Sequence, residues 1–266
     1  MDELKRCIRA LARPQTARTI VIATGLLLSF VQTSQAGQAS LRFAVNEGWS
    51  MPMMHITDYQ PESGILFDIM QSLAHQVGRD AEYHVMPRLR IQGALEHDEV
   101  DIHCYSAQAW YPDLSGDYLW SLPILYQRDW LVASAETAAG PYPEQFDNET
   151  VGTVLGYNYP ALQHLFDSHQ LNREDARTQN QTLSKLMAGR YNYAVTNQLI
   201  LDWTNRSLPA GKKLKPIALV ADQPAACLIR NNPELPVNRI LRTLLRMRMS
   251  GEIQRIIDRY TAPLAP

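Results

Sequence analysis

A chain of 266 residues has room for one large domain or two modest ones. With 45% hydrophobic and 20% charged residues, it falls outside the collagen-like, coiled-coil and disordered classes. A formal charge of −2 and the absence of a basic stripe argue against nucleic acid as a partner.

The first 36 residues stand apart. A basic stretch (Lys5, Arg6, Arg9, Arg13, Arg18) leads into the apolar run "IVIATGLLLSFV" and then "QTSQA". The run is shorter than the ~20 residues needed to span a bilayer. Small residues Ser34 and Ala36 suit a cleavage site, so residues 1–36 are expected to be a secretory signal cut after Ala36. An uncleaved N-terminal membrane anchor is the other reading. The segment holds five basic and two acidic residues, so the remainder carries 20 basic and 25 acidic. No second long apolar segment follows, so the mature chain is expected to be soluble and periplasmic.

From residue 41 the pattern alternates between strand and helix. "LRFAVN" reads as a strand and "EGWSMPMMHITDYQPESG" as a loop. In "ILFDIMQSLAHQVG", apolar residues recur at helical spacing and Gly78 supplies the stop. "AEYHVM" is a strand, "RLRIQGALEH" a helix and "EVDIHCY" a strand. "LPILYQRDWLVAS" is a strand with no breaker after Pro123. A second series follows: strand "ETVGTVLG", a helix in "YPALQHLFDSH" capped by Asn158, strand "EDARTQ", helix "QTLSKLMAGR", strand "YNYAVT" and helix "NQLILDWTNRS". Two separate strands, "LKPIALVA" and "AACLIR", precede helices broken at Ser250–Gly251. Alternation of this kind predicts two α/β lobes with mostly parallel sheets and a cleft between them.

In this order and spacing, "LRFAVNEGW", "GILFDIMQSLAHQVGRDAEYHV", "GALEHDEVDIHCYSAQ", "YLWSLPILYQRDWLVAS", "VGTVLGYNYPAL", "LSKLMAGRYNYAVTN" and "LRMRMSGEIQRIIDRY" resemble bacterial extracellular solute-binding proteins of family 3. The resemblance covers about residues 40 to 262. It implies a type II periplasmic-binding-protein fold: two lobes, each a mostly parallel sheet flanked by helices, joined by two crossing hinge strands. Lobe 1 would hold 37–128 and 228–266, and lobe 2 would hold 129–227. The implied function is closure on a small ligand, for an ABC importer or a signalling receptor. Other readings are an orphan sensor or interaction protein of this fold, and a dehydratase-like periplasmic lyase. A monomer serving an inner-membrane permease is expected.

Amino-acid receptors of that family clamp the ligand carboxylate with an Arg after the third strand and the ammonium with an Asp. Here residues 100–127 contain no Lys or Arg, Asn197 stands at the Asp position, and Pro160 removes a helix-start N–H. Aromatic residues stand in their place. Trp49, Tyr105, Trp110, Tyr111, Tyr157 and Tyr159 either line the cleft or pack within the lobes, and Trp120 is assigned to the core. Flat rings suit planar ligands, sugars or cations. Ser106, Asn197 and Glu47 complete the expected lining, with Arg90 preferred over Arg88 for an anionic group.

No GxSxG, HExxH or P-loop occurs, so no catalytic residue, cofactor or metal is assigned. The "MPMMH" run reads as packing beneath a loop rather than as a copper site. Beyond the signal, Cys104 and Cys227 are either one disulfide or two buried thiols. The resemblance brings their strand ends together and favours the bond.

Overall fold

A computed structural model describes residues 39–111, 113–137 and 146–262. The expected signal peptide lies outside them. The strands are β1 (Leu41–Asn46), β2 (His55–Thr57), β3 (Gln60–Ser63), β4 (Ala81–Met86), β5 (Ile102–Ser106), β6 (Tyr118–Trp120), β7 (Leu125–Ala133), β8 (Glu149–Val154), β9 (Leu171–Ala176), β10 (Tyr193–Asn197) and β11 (Lys215–Arg230). The α-helices are α1 (Ile65–Val77), α2 (Arg88–Glu96), α3 (Gln163–Asp167), α4 (Gln179–Met187), α5 (Gln198–Arg206), α6 (Val237–Met249) and α7 (Glu252–Thr261).

One curled sheet runs β4-β1-β5-β11-β7-β10-β8-β9, with β6 also on β11. In the first half β1 pairs in parallel with β4 and β5. In the second, β8 pairs in parallel with β9 and β10. The antiparallel pair β7·β11 joins the halves. The fold is α/β, two-lobed, with two strands crossing between the lobes.

Helical periodicity explains α1. Ile65, Leu66, Ile69, Met70, Leu73 and Val77 recur at three- and four-residue spacing and are all buried. Each contributes about 1.5–3 kcal/mol relative to exposure. Gly78 ends the helix at φ 74°, a left-handed cap where its N–H satisfies a terminal carbonyl.

Four local expectations differ from the structure. First, "LKPIALVA" and "AACLIR" form one 16-residue strand. Pro224 is tolerated within it because only β7 flanks β11 there, β5 joining from Ala226 onward. Second, the loop before α1 contains the β2–β3 hairpin, whose turn residues Asp58 and Tyr59 both take positive φ. Third, Asn158 does not cap a helix. Pro160 opens a 3-10 turn behind Tyr159, and only a short α3 follows. Fourth, β9 begins at Leu171, three residues before the expected strand.

Cys104 and Cys227 are bonded, linking β5 to β11. Met53 and Met54 are buried in the core, as packing residues. Trp120 packs with Tyr111, with ring centres 6.4 Å apart.

Candidate functional site

The cavity lies between the two halves, beside the crossing strands. Asn46, Trp49, Arg88, His103, Tyr105, Trp110, Gln127, Asp129, Gly156, Tyr157, Asn158 and Tyr159 line it. The space open to the centres of water-sized spheres is about 40 Å3, so the cavity admits water.

The first-half wall is built from a turn and a strand end. Asn46 closes β1, and its Oδ1 accepts from Gly48 N–H at 2.9 Å. That turn swings Trp49 over β5, where it stacks on His103 at 5.7 Å and 4°. Tyr105 meets Trp49 edge-on at 6.4 Å, and Trp110 meets Tyr105 at 6.5 Å. Tyr105 takes φ 63°, a left-handed conformation that costs a bulky residue about 1–3 kcal/mol. The rings form a continuous apolar surface with polar tips.

The second-half wall comes from the loop after β8. Gly156 turns it at φ 76°, and a Cβ there would lie 3.0 Å from Leu89 Cγ. Tyr157 and Tyr159 follow, both at the cavity. The Tyr159 hydroxyl reaches back to its own loop start, where it accepts from the Val154 N–H at 3.2 Å. Burial, together with the negative charge of Asp129, pushes the Tyr157 hydroxyl upward in pKa; Arg88 opposes this.

Contacts across the cleft hold the halves closed. Asn46 Nδ2 donates to Tyr157 Oη at 3.0 Å, and Asn197 Nδ2 donates to Tyr105 Oη at 2.9 Å. The Asn180 N–H reaches Ser50 Oγ at 3.1 Å, and the Gln179 N–H reaches Gly48 O at 3.3 Å. Asn197 also caps α5, its Oδ1 accepting from Leu199 N–H.

The floor comes from β7. Alternation puts Leu125, Gln127 and Asp129 on its buried face, with Tyr126 and Arg128 outward. Asp129 is 6% exposed and accepts from Gln127 Nε2 at 2.6 Å. Burial raises its pKa to about 6, and hydrogen bonds from Gln127 and Asn197 pull it back only partly. No ion pair to Asp129 exists among the described residues.

His103 is neutral. Burial lowers its pKa to about 3, against a hydrogen bond to Ala44 O and with help from Arg88. Because a neutral ring bonded to a carbonyl must donate from Nδ1, Nε2 is left as an acceptor.

Several expected site residues lie elsewhere. Arg90 pairs with Glu99 at 2.9 Å and is largely exposed, one helical step away from the cavity. Arg88 lines the cavity instead. Its guanidinium sits 4.5 Å over the Tyr111 ring and donates to Trp110 O at 3.4 Å. Tyr111 is buried beneath it and does not line the cavity. Ser106, also outside the lining, is fully buried with a hydroxyl that lacks a hydrogen bond. Glu47 borders the adjoining cleft mouth with Arg88 and Arg177. Six lining residues went unassigned as site residues from sequence: Asn46, His103, Gln127, Asp129, Gly156 and Asn158.

No protein-family model and no curated protein matches this sequence. Solved structures do. An arginine 3rd transport system periplasmic binding protein from Legionella pneumophila superposes at TM-score 0.68, 15% identical, over 84% of this chain and 99% of that one. The GluR0 ligand-binding core from Nostoc punctiforme, in complex with L-glutamate, gives 0.66 at 16% identity over 84% and 99%. The BvgS VFT2 domain of Bordetella pertussis gives 0.63 at 19% identity over 83% and 93%. The fold is that of a type II periplasmic binding protein. At these identities the likeness describes architecture, and the chemistry of the cavity is this chain's own.

Proposed function

We propose that this protein is a periplasmic solute-binding protein whose lobes, 37–128 with 228–266 and 129–227, close on a small ligand. The observation that carries this reading is the cavity itself. It is walled by aromatic residues of both halves, floored by a crossing strand, and shut by hydrogen bonds between the halves. Hinge closure around a ligand uses these parts. The solved relatives named for arginine transport and glutamate binding add support. Delivery to an inner-membrane permease or signalling through a receptor is the expected use, with the mature chain acting as a monomer.

His103, its pKa lowered to about 3 by burial, is a neutral acceptor and a poor base near pH 7. The test is a thermal-shift screen of the purified protein against amino acids, amines, sugars, carboxylates and peptides. A ligand at 100 times its Kd adds about 2.7 kcal/mol of stability. Trp110→Ala should weaken that ligand at least tenfold with little change in the ligand-free unfolding transition, since Trp110 is only half-buried. Absence of any shift would sink the reading, and turnover of a bound ligand would replace it with an enzyme.

A further inference from the structure

We infer that the ligand carries a protonated nitrogen and that Asp129, on the crossing strand, is its counter-charge. The inference rests on the solute-binding reading and specifies its chemistry. Asp129 is buried, lines the cavity, and has amide partners but no cation within ion-pair distance among the described residues. A buried carboxylate in that state is costly until a cation reaches it. The rest of the inner lining agrees. His103 Nε2 is an acceptor, and Trp49, Tyr105, Tyr157 and Tyr159 line the same space. Aromatic faces and acceptors around one carboxylate favour an ammonium-type group.

The end of β10 holds the uncharged Asn197, whose register partner across β7·β10 is Asp129. The negative charge therefore sits one strand over, on the strand that both lobes share. Arg88 stands toward the mouth, bordering both the cavity and the outer cleft. A ligand with an anionic tail would meet it there, and a simple amine would not need it.

Charged or titratable groups around Asp129 come from each packed element. These are Tyr105 from β5, Tyr157 and Tyr159 from the loop after β8, Arg88 from α2 and His103 from β5. On β7 itself Arg128 faces outward to Asp222 of β11. The tyrosines are shifted upward by burial and His103 downward to about 3, leaving Asp129 as the cavity group that titrates near pH 6.

The experiment is calorimetric titration at pH 7.5 with small amines, amino acids, carboxylates and neutral polyols, on wild type and Asp129→Asn. Nitrogen cations are expected to bind, and Asp129→Asn to weaken them at least 100-fold. Arg88→Ala separates the two sources: an amino acid loses affinity with it, an amine does not, and either result keeps the inference. A neutral or anionic binder, or Asp129→Asn affinity within threefold of wild type, overturns it. Should that variant not fold, wild type still decides. Binding followed from pH 4 to 7 in buffers of different ionisation enthalpy must release protons over part of that range, and binding without release anywhere in it overturns it. Failure of every ligand class rejects the solute-binding reading instead.

Discussion

Two buried aspartates at opposite places in the sheet show how the same side chain serves different ends. Asp101, 2% exposed, is gripped by Arg42 through two parallel hydrogen bonds of 2.6 and 3.0 Å. The Arg42 backbone N–H adds a third at 3.1 Å, and Arg230 a fourth at 3.3 Å while also pairing with Asp98. Asp129, nearly as buried, has only side-chain amides for company. The first carboxylate is complete within the chain, while the second leaves room for a charge from outside. Burial alone does not mark a functional acid; the identity of its partners does.

The comparison can be broken most forcefully at Asp101. Asp101→Ala leaves the Arg42 guanidinium without its carboxylate and Arg230 with Asp98 alone, and should cost about 3–5 kcal/mol, read from urea unfolding. Cys104→Ser with Cys227→Ser tests whether the covalent link matters as much; about 2–5 kcal/mol is expected. Asp129→Asn should move the other way. Its carboxyl has a folded pKa of about 6 against about 3.9 unfolded, so the native state binds the extra proton between those values. Stability is then fully present below about pH 4 and is lost as pH rises through 6. The neutral amide should recover on the order of 2–3 kcal/mol at pH 7.5 in the ligand-free protein. It should also flatten the decline in melting temperature between pH 4 and 6, and a wild-type decline that persists in the variant would assign it to another group. The smallest effect belongs to Arg90→Ala, which removes a surface pair with Glu99 and should change stability by under ~1 kcal/mol. Ligand affinity should not move at all, whereas an equal loss from Arg88→Ala and Arg90→Ala would erase the distinction drawn between them.

Much of the architecture was legible because strand and helix periods differ, and α1 and the α6–α7 break follow them closely. The cavity was less so. Trp49, Tyr105, Trp110, Tyr157 and Tyr159 stand out as bulky rings near strand ends, and all five reach it. Asp129 did not stand out, because "LPILYQRDWLVAS" mixes polar and apolar residues on both faces and its alternation alone does not say which side is inside. Choosing the face with Leu125, Gln127 and Leu131 would have exposed an acid pointing inward. The Arg88 and Arg90 choice turned on helix phase. Two residues along a helix swing a side chain about 200°, enough to send one guanidinium to the cavity and the other to Glu99.

The bond between Cys104 and Cys227 spans 123 positions. At synthesis rates of 5–20 residues per second, the first thiol waits roughly 6 to 25 s for its partner to be made. Through that interval β5 lacks the neighbour that β11 will supply. All residues of the second parallel sheet are made in the meantime, so the lobe whose chain begins first is the one whose chain ends last.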